Sequence, residues 1–551
     1  MQNRDAVIAC ITVVLLALAV GINDALLPAF ANKYVINDDV RMHIYWMRQF
    51  QDADLFRNDL LTEYAKQFQP WGFILFYYLF SFIIDPIVLS KILPVVLFVV
   101  FILFVFKFLQ YVSGTFTGFL GALVFIATPY FLSYMFGGHA RGFAFPLLAA
   151  FLYYMTKKDY PKTSLILVLQ SLFYPMVFLV SVLTYTFSFV GIDNRSLVLD
   201  RSLHKWKYYC LTILICGVLL GSKQLAAYNS WIGPVATKKQ MLNDPAFYEG
   251  GRTKILPVDP LPKAMGKVVK WPSFAPIFLK QHPKYFYRTA TAVRKLLFLI
   301  TALFIVQTIY RRRMPFPSII LFFLLSAIVM YKVADFLMLR LYIPDRYLRY
   351  PVPLAGLAIF TIAVTGFVAQ IKKDGVRKTL QIFLVILAVW SFDSGAKRRL
   401  IDQSHNKELY EYLSTLPKNA TIAAHPDLSS NIPTFAQRKV FLSWELAEPI
   451  YTGYWKVIKK RSNDFFDACY AKDLQSIRKF CEKNGIDYLV VDKGHFTKEY
   501  IRAGKIFFEP FNRSIVQKIR DRSHFALCTI PQHDMLFVQG DVFVIDKSAL
   551  R

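Results

Sequence analysis

The chain has 551 residues, of which 55% are hydrophobic, 16% aromatic and only 19% charged. Lys and Arg outnumber Asp and Glu 65 to 37, a net charge of +28, yet mean hydropathy is +0.37. A soluble chain cannot bury that much apolar surface and still cover itself with polar groups. With 24 Gly, 27 Pro and 6 Cys, collagen-like, disordered and disulfide-scaffold classes are also excluded. The class left is a polytopic α-helical membrane protein with large polar loops.

The first apolar run predicts a span over 6–28. Ala17-Leu18-Ala19 resembles a signal-peptidase site, but the run continues to Phe30, which favours an uncleaved first span. The loop 31–87 follows, with five basic and seven acidic residues in an otherwise basic chain. Asp38 and Asp39 stand at its start, beside the lipid–water boundary. Such carboxylates suit a general base or a metal ligand at a cavity mouth. They equally suit a helix cap ahead of Val40–Phe50. The stretch 71–84 is apolar, aromatic and short, as expected of a helix lying in the interface.

Spans are predicted over 88–110 and 114–134, then the turn Gly137-Gly138-His139-Ala140-Arg141-Gly142. Its glycines permit close approach of a backbone or ligand. Arg141 offers a planar fork for phosphate, and His139 stands beside it; an arginine snorkelling to headgroups is the plainer alternative. Further spans follow over 143–156, 162–174, 176–191 and 208–221. The loop 222–293 carries eleven basic and three acidic residues, with a turn at Gly250-Gly251 and no assigned role. After spans 294–310 and 316–333 comes Ile343-Pro344-Asp345-Arg346-Tyr347-Leu348-Arg349-Tyr350-Pro351. Arg346 and Arg349 share a helical face, and Asp345 is placed to pair with Arg349. They fit a clamp for a lipid phosphate, or an interfacial Tyr/Arg anchor. The last spans are 351–371 and 379–393.

The tail from about Lys397 predicts a soluble α/β domain. Its expected elements are a helix over Glu408–Leu416, a strand Thr421–Ala424, a helix Leu474–Asn484 closed by Gly485, and strands Ile486–Val491 and Asp541–Asp546. No Gly-rich phosphate loop follows a strand. Cys469 and Cys481 are either a disulfide or free thiols; no cysteine has zinc-site spacing.

The basic short loops Lys157–Lys162, Arg195–Lys207, Arg311–Arg313 and Lys372–Lys378 share one side if 162–191 is a hairpin broken at Tyr174-Pro175. That gives about eleven spans, N-terminus inside and C-terminus outside. The transmembrane part is then 1–396, with outer loops 31–87 and 222–293, and the extracytoplasmic domain is 397–551. The expected location is the plasma (inner) membrane.

In this arrangement the chain resembles the GT-C superfamily of membrane glycosyltransferases, which includes the protein O-mannosyltransferases and the aminoarabinose transferases of lipid A. Asp38-Asp39 after the first span is similar to that family's Asp-Glu signature. Gln69-Pro70-Trp71 and the apolar stretch after it look like its interfacial helix. Ser90-Lys91-Ile92-Leu93-Pro94 resembles its Arg-Leu-Pro, with Lys for Arg. Arg346-Tyr347 leading to Pro351-Val352-Pro353 is similar to its late Arg-Tyr…Pro motif. The chain departs from the family at His139-Ala140-Arg141, where an Asp is often found, and it lacks the Lys-Pro-Pro of aminoarabinose-type members. The resemblance implies a divergent transferase of sugar from a polyprenyl-phosphate donor to a glycan, lipid or protein acceptor. Asp38 or Asp39 would be the base. Arg141, Arg346, Arg349 and His139 would bind the donor phosphate, and a divalent cation is left open. A flippase for a lipid-linked glycan, or a non-catalytic envelope-binding scaffold, are the other classes compatible with these residues. The charge of the outer pieces, including 25 basic against 18 acidic residues in 397–551, suits membrane lipids and acidic envelope polymers; the spans argue against nucleic acid.

Overall fold

The computed structural model describes residues 2–193, 196–228, 230–270, 272, 283–310, 316–392 and 399–551. The basic loop expected at Arg311–Arg313 and the first residue of that at Arg195–Lys207 lie outside the described residues.

Among the described residues, six helices are long and apolar enough to cross a membrane: Arg4–Ala29, Pro86–Ser113, Leu203–Lys223, Thr291–Thr308, Ser318–Leu341 and Arg346–Ala369. Pro86–Ser113 is the hub. It packs against the first helix, against Thr115–Ile126 and against Ala144–Thr156. Peripheral helices leave large apolar side chains outward, among them Leu214, Val218, Phe298, Leu303 and Val306. Water would penalise such a surface, whereas lipid tails solvate it. The chain is a polytopic α-helical membrane protein with a C-terminal α/β domain.

Proline sets the helix ends. The stretch expected as one span over 114–134 is two helices, Thr115–Ile126 and Pro129–Ser133, with Thr128 extended between them at φ −105° and ψ 97°. The missing N–H of Pro129 and its clash with the preceding residue impose that break. At Tyr174-Pro175 the same device turns the chain through a hairpin: Tyr174 has φ −151° and ψ 84°. The rings of Tyr160 and Tyr185, at opposite ends of Tyr160–Phe173 and Pro175–Phe187, stack at 6.0 Å. Tyr185 then donates to the carbonyl of Lys205 at 3.1 Å. Trp71–Ser81 spans eleven residues. At 1.5 Å per residue that is about 16 Å, roughly half the hydrocarbon thickness. Phe73 and Tyr77 point inward, while Leu75, Leu79, Phe82 and Ile83 in and beyond it point out.

In the tail the expected elements are present as the helix Lys407–Thr415, strand β5 (Thr421–Ala424), the helix Leu474–Asn484, β7 (Tyr488–Asp492) and β9 (Val542–Asp546). Gly485 closes the second helix in the left-handed region at φ 63°. With β6 (Lys439–Val440) and β8 (Met535–Gln539) they form one sheet in the order β6-β5-β7-β9-β8. β5 is parallel to β6 and β7, while β9 is antiparallel to β7 and β8. Cys469 and Cys481 are free thiols, as are the other four cysteines.

The tail begins inside the first loop's own sheet. β4 (Leu400–Asp402) pairs antiparallel with β1 (Val35–Asn37), placing Asn37 opposite Leu400, while β2 (Val190–Asp193) and β3 (Ser196–Leu199) form a separate antiparallel pair. The ribbon of β1 and β4 delivers the chain to Asp38 and Asp39.

Candidate active site at the first loop

The loop is held at its root by Lys91. Its Nζ, buried in the hub helix, donates to the carbonyls of Ala29 at 2.8 Å and Asn32 at 3.2 Å. An ammonium is the right group there, because the end of the first helix presents carbonyls without partners.

Neither aspartate caps the helix that follows. Val40–His43 is a single turn, Ile44 interrupts it, and Tyr45–Phe50 continues as 3-10 helix rather than the continuous helix expected. Asp39 occupies the N-cap position with helical backbone and no capping hydrogen bond. Its carboxylate reaches across to the turn 137–142 instead. Arg141 donates from Nη2 to Asp39 Oδ2 at 2.5 Å, and His139 Nε2 lies 3.2 Å from the same oxygen. Oδ1 makes no hydrogen bond among the described residues, and the side chain keeps 34% of its surface exposed. One oxygen is thus fixed and the other is left without a hydrogen-bond partner among the described residues.

The glycines allow this approach. Gly138 has φ +55°, and a Cβ there would meet the Ser90 Cα at 2.8 Å and the Tyr77 Oη at 2.9 Å. Tyr77 donates to the Gly138 carbonyl at 2.8 Å, so the apolar helix Trp71–Ser81 pins the turn from behind. His43 completes the cluster. Its Nδ1 lies 2.6 Å from Gln69 Nε2, and its ring meets that of His139 edge-on at 5.7 Å.

Beside this pocket is an excess of positive charge. The ring of Tyr134 has three guanidiniums over it: Arg399 at 4.5 Å, Arg141 at 5.7 Å and Arg349 at 6.0 Å. Lys270 lies over the neighbouring ring of Tyr130 at 5.6 Å. Arg349 pairs with Asp345, as its spacing predicts. Tyr174, Tyr350, Tyr342 and Asp345 surround the charge of Arg346, whose Nε is buried without a hydrogen-bond partner. Arg346, Arg399 and Lys270 have no ion pair among the described residues. Two carboxylates against five cations leave a field that calls for an anion. Arg399 and Lys270 carried no local sequence signal; only the pairing of β1 with β4 brings Arg399 here, through Asn37 Nδ2 donating to the Arg399 carbonyl at 2.9 Å.

Asp38 points away from this pocket, towards Arg41. Arg41 also pairs with Glu445 at 2.9 Å, Glu445 with Arg252 at 3.2 Å, and Arg252 with Glu448 at 3.0 Å. This chain of partly buried ion pairs fastens the loop after Gly250-Gly251 and the tail to the first loop. Sequence spacing gives no hint of Glu445 or Glu448.

A cation at Asp39 does not fit this donor set. One carboxylate oxygen already carries a guanidinium and an imidazole, and the adjacent carboxylate is turned to Arg41. A divalent ion needs several oxygen or unprotonated nitrogen donors converging on it.

Electrostatics follow from the geometry. Burial alone would raise Asp39, but Arg141 and then His139 override it and hold the carboxyl well below its ordinary range. Burial, reinforced by Arg141, pushes His139 from 6.5 down to about 4 despite the pull of Asp39. Burial likewise lowers His43 to about 3. Both imidazoles are neutral at pH 7, so the folded state binds fewer protons than the unfolded one between pH 6.5 and about 4. Stability is therefore full above pH 6.5 and is lost as pH falls through that window. For His139, with 3% of its surface exposed, the loss approaches about 3 kcal/mol at pH 4. The expected result is a melting temperature that declines from pH 7 to pH 4, with a visibly shallower decline in His139→Gln; equal slopes in the two proteins would refute the assignment.

No family model and no curated protein matches the chain. Among solved structures it is similar to ArnT from Cupriavidus metallidurans in the apo state, with 11% identity, 97% of this chain and 98% of that one covered, and a TM-score of 0.49. It is similar to the same protein bound to undecaprenyl phosphate, with 11% identity, 98% and 97% covered, and a TM-score of 0.47. It is also similar to the Archaeoglobus fulgidus oligosaccharyltransferase tethered with an acceptor peptide, with 15% identity, 92% and 72% covered, and a TM-score of 0.49. At these identities and scores the site is assigned from its own residues.

Proposed function

We propose that the chain is a membrane glycosyltransferase of the GT-C kind. It moves a sugar from a polyprenyl-phosphate donor to an acceptor hydroxyl at the outer face of the plasma membrane. The single observation that carries this reading is Asp39. Its Oδ2 is fixed by Arg141 and His139, its Oδ1 is free, and a pocket of incompletely paired arginines adjoins it. The topology that goes with it has eleven spans, the N-terminus inside, and 397–551 outside as a separate domain. The hairpin at Tyr174-Pro175 supports that count, because it puts the loops after Lys157 and before Lys207 on one side.

In this reading Asp39 Oδ1 takes the proton of the acceptor hydroxyl as the acceptor oxygen bonds to the anomeric carbon. The bond from that carbon to the phosphate oxygen breaks, with inversion, and the electron pair leaves on the polyprenyl phosphate. Arg346, Arg349 and Arg399 stabilise the added charge, with Arg141 on the border between the two functions. A carboxylate held low by Arg141 is a weak base. Donor phosphate competing for Arg141 would raise its basicity at the moment it is needed, which couples donor binding to base strength.

The test is transfer in proteoliposomes. Purified protein is supplied with polyprenyl-phosphate sugars of several classes and a crude envelope acceptor fraction. The expected product is free polyprenyl phosphate, formed only with acceptor present. Donor that stays intact throughout the panel but crosses the bilayer would instead establish a flippase.

A further inference from the structure

We propose a second site, in the C-terminal domain, for a divalent transition metal of the zinc class, held by His425, Asp427 and His495. It is independent of the reading given for Asp39.

The sheet topology creates the place. β5 and β7 are neighbouring parallel strands, with Ile422 opposite Tyr488 and Ala424 opposite Val490. From the end of β5 the chain leaves to β6 on one side, and from the end of β7 it leaves towards β9 and β8 on the other. Connections diverging from adjacent parallel strands open a crevice at their carboxyl ends, where α/β sheets place their ligands. His425 is the first residue after β5. His495 lies in the 3-10 turn Lys493–Phe496 directly after β7.

The side chains converge there. One ligand atom from each of His425, Asp427 and His495 lies within 4.8 Å of the other two. Metal–ligand bonds of about 2.0–2.2 Å require separations of roughly 3–4 Å; His425 Nδ1 and Asp427 Oδ2, at 3.4 Å, already meet this, and a small adjustment of the side chains closes the rest of the set. Asp427 is free to rotate, with 54% of its side chain exposed, while both histidines are buried. The two imidazole rings are 4.0 Å apart. His425 Nδ1 faces Asp427 Oδ2 at 3.4 Å, and its Nε2 lies 3.4 Å from the hydroxyl of Tyr500. A proton on Nε2, donated to Tyr500, leaves the lone pair on Nδ1, the outer-shell arrangement that metal-binding histidines use. Nδ1 otherwise receives only a long contact from the Asp427 amide at 3.4 Å. The ring of His495 makes no hydrogen bond among the described residues. With 8% of its surface exposed, this imidazole is reachable by an ion or by water. Two imidazoles and one carboxylate, with a fourth position open to water, are a zinc donor set rather than a calcium or magnesium one.

The experiment uses full-length protein in detergent micelles, stripped with chelator and titrated with zinc chloride, followed by metal analysis and thermal melting. The expected result is one zinc per chain and a melting temperature raised by zinc. Both effects are lost in His495→Ala, and affinity falls at least about tenfold in Asp427→Asn, whose exposed side chain can be changed without disturbing the fold. Asp39→Asn retains the zinc. Failure of the wild type to take up zinc would overturn the proposal, as would uptake unchanged in both His495→Ala and Asp427→Asn. Zinc lost in Asp39→Asn but kept in Asp427→Asn would place the metal at the membrane site and equally overturn it.

Discussion

Asp39→Asn lowers transfer by about 10²–10⁴, while Asp38→Asn costs less than about tenfold. The two residues are adjacent and chemically identical, so only their surroundings distinguish them. Asp39 has one oxygen fixed by Arg141 and His139 and the other open. Asp38 spends its charge on Arg41, on the flank of an ion-pair chain. Removing a general base costs about 10²–10⁴ in rate. The asparagine is nearly isosteric and still accepts a hydrogen bond from Arg141, so the fold is preserved. The loss should appear in kcat, with donor binding maintained or tightened, because Arg141 is released to the phosphate. For Asp38→Asn, a loss of less than about tenfold is expected, consistent with weakening one half-exposed ion pair. Rates measured for the two variants in the same proteoliposomes decide the matter. Equal losses, or a larger loss in Asp38→Asn, would move the base to Asp38 and sink the geometry proposed for Asp39.

The second large effect is at Arg346. Its guanidinium lies among tyrosine hydroxyls, with its neighbour Asp345 already engaged by Arg349. Holding a cation in such a place costs stability unless an anion completes it. Arg346→Met should therefore reduce transfer by about 10²–10³, the range for losing one donor to a developing oxyanion. The melting temperature of the ligand-free protein should stay level or rise. This opposition of sign separates a ligand-binding arginine from a structural one. An interfacial anchor, the plainer reading of Arg346 and Arg349, would lose stability and keep activity. Binding of undecaprenyl phosphate to Arg346→Met, followed by the shift in melting temperature it causes, supplies the check that does not depend on turnover.

The ion-pair chain from Arg41 to Glu448 has a different character. Its members are partly buried and alternate in sign. Removing one partner leaves the next uncompensated, so it acts as a fastener between three segments far apart in sequence. Glu445, raised by burial against the pull of Arg252 and Arg41, is its softest member. The loop after Gly250-Gly251, for which the sequence suggests no role, is the piece held in place.

Much of this molecule is written locally. Apolar runs longer than about 18 residues have no aqueous alternative, so the long spans follow from hydropathy alone. Pro129 and Pro175 end helices because a tertiary amide has no N–H to give, and the hairpin at Tyr174 follows from that together with the charges of its flanking loops. Gly485, the strand at 488–492 and the pairing of Asp345 with Arg349 are likewise short-range events. What sequence cannot rank is two neighbouring carboxylates. Asp38 and Asp39 differ only through Arg141 and His139, about a hundred residues away, and through Glu445, further still. Arg399 enters the basic pocket because β4 pairs with β1 across more than 360 residues, a contact with no periodicity to betray it. His425 and His495 become neighbours only because β5 and β7 lie side by side. Helix and span formation are governed by hydrogen bonds and solvation within a few turns of chain, and so are legible one segment at a time. Charge and ligand sites are sums over groups from distant segments, and their composition is set only when the segments are packed.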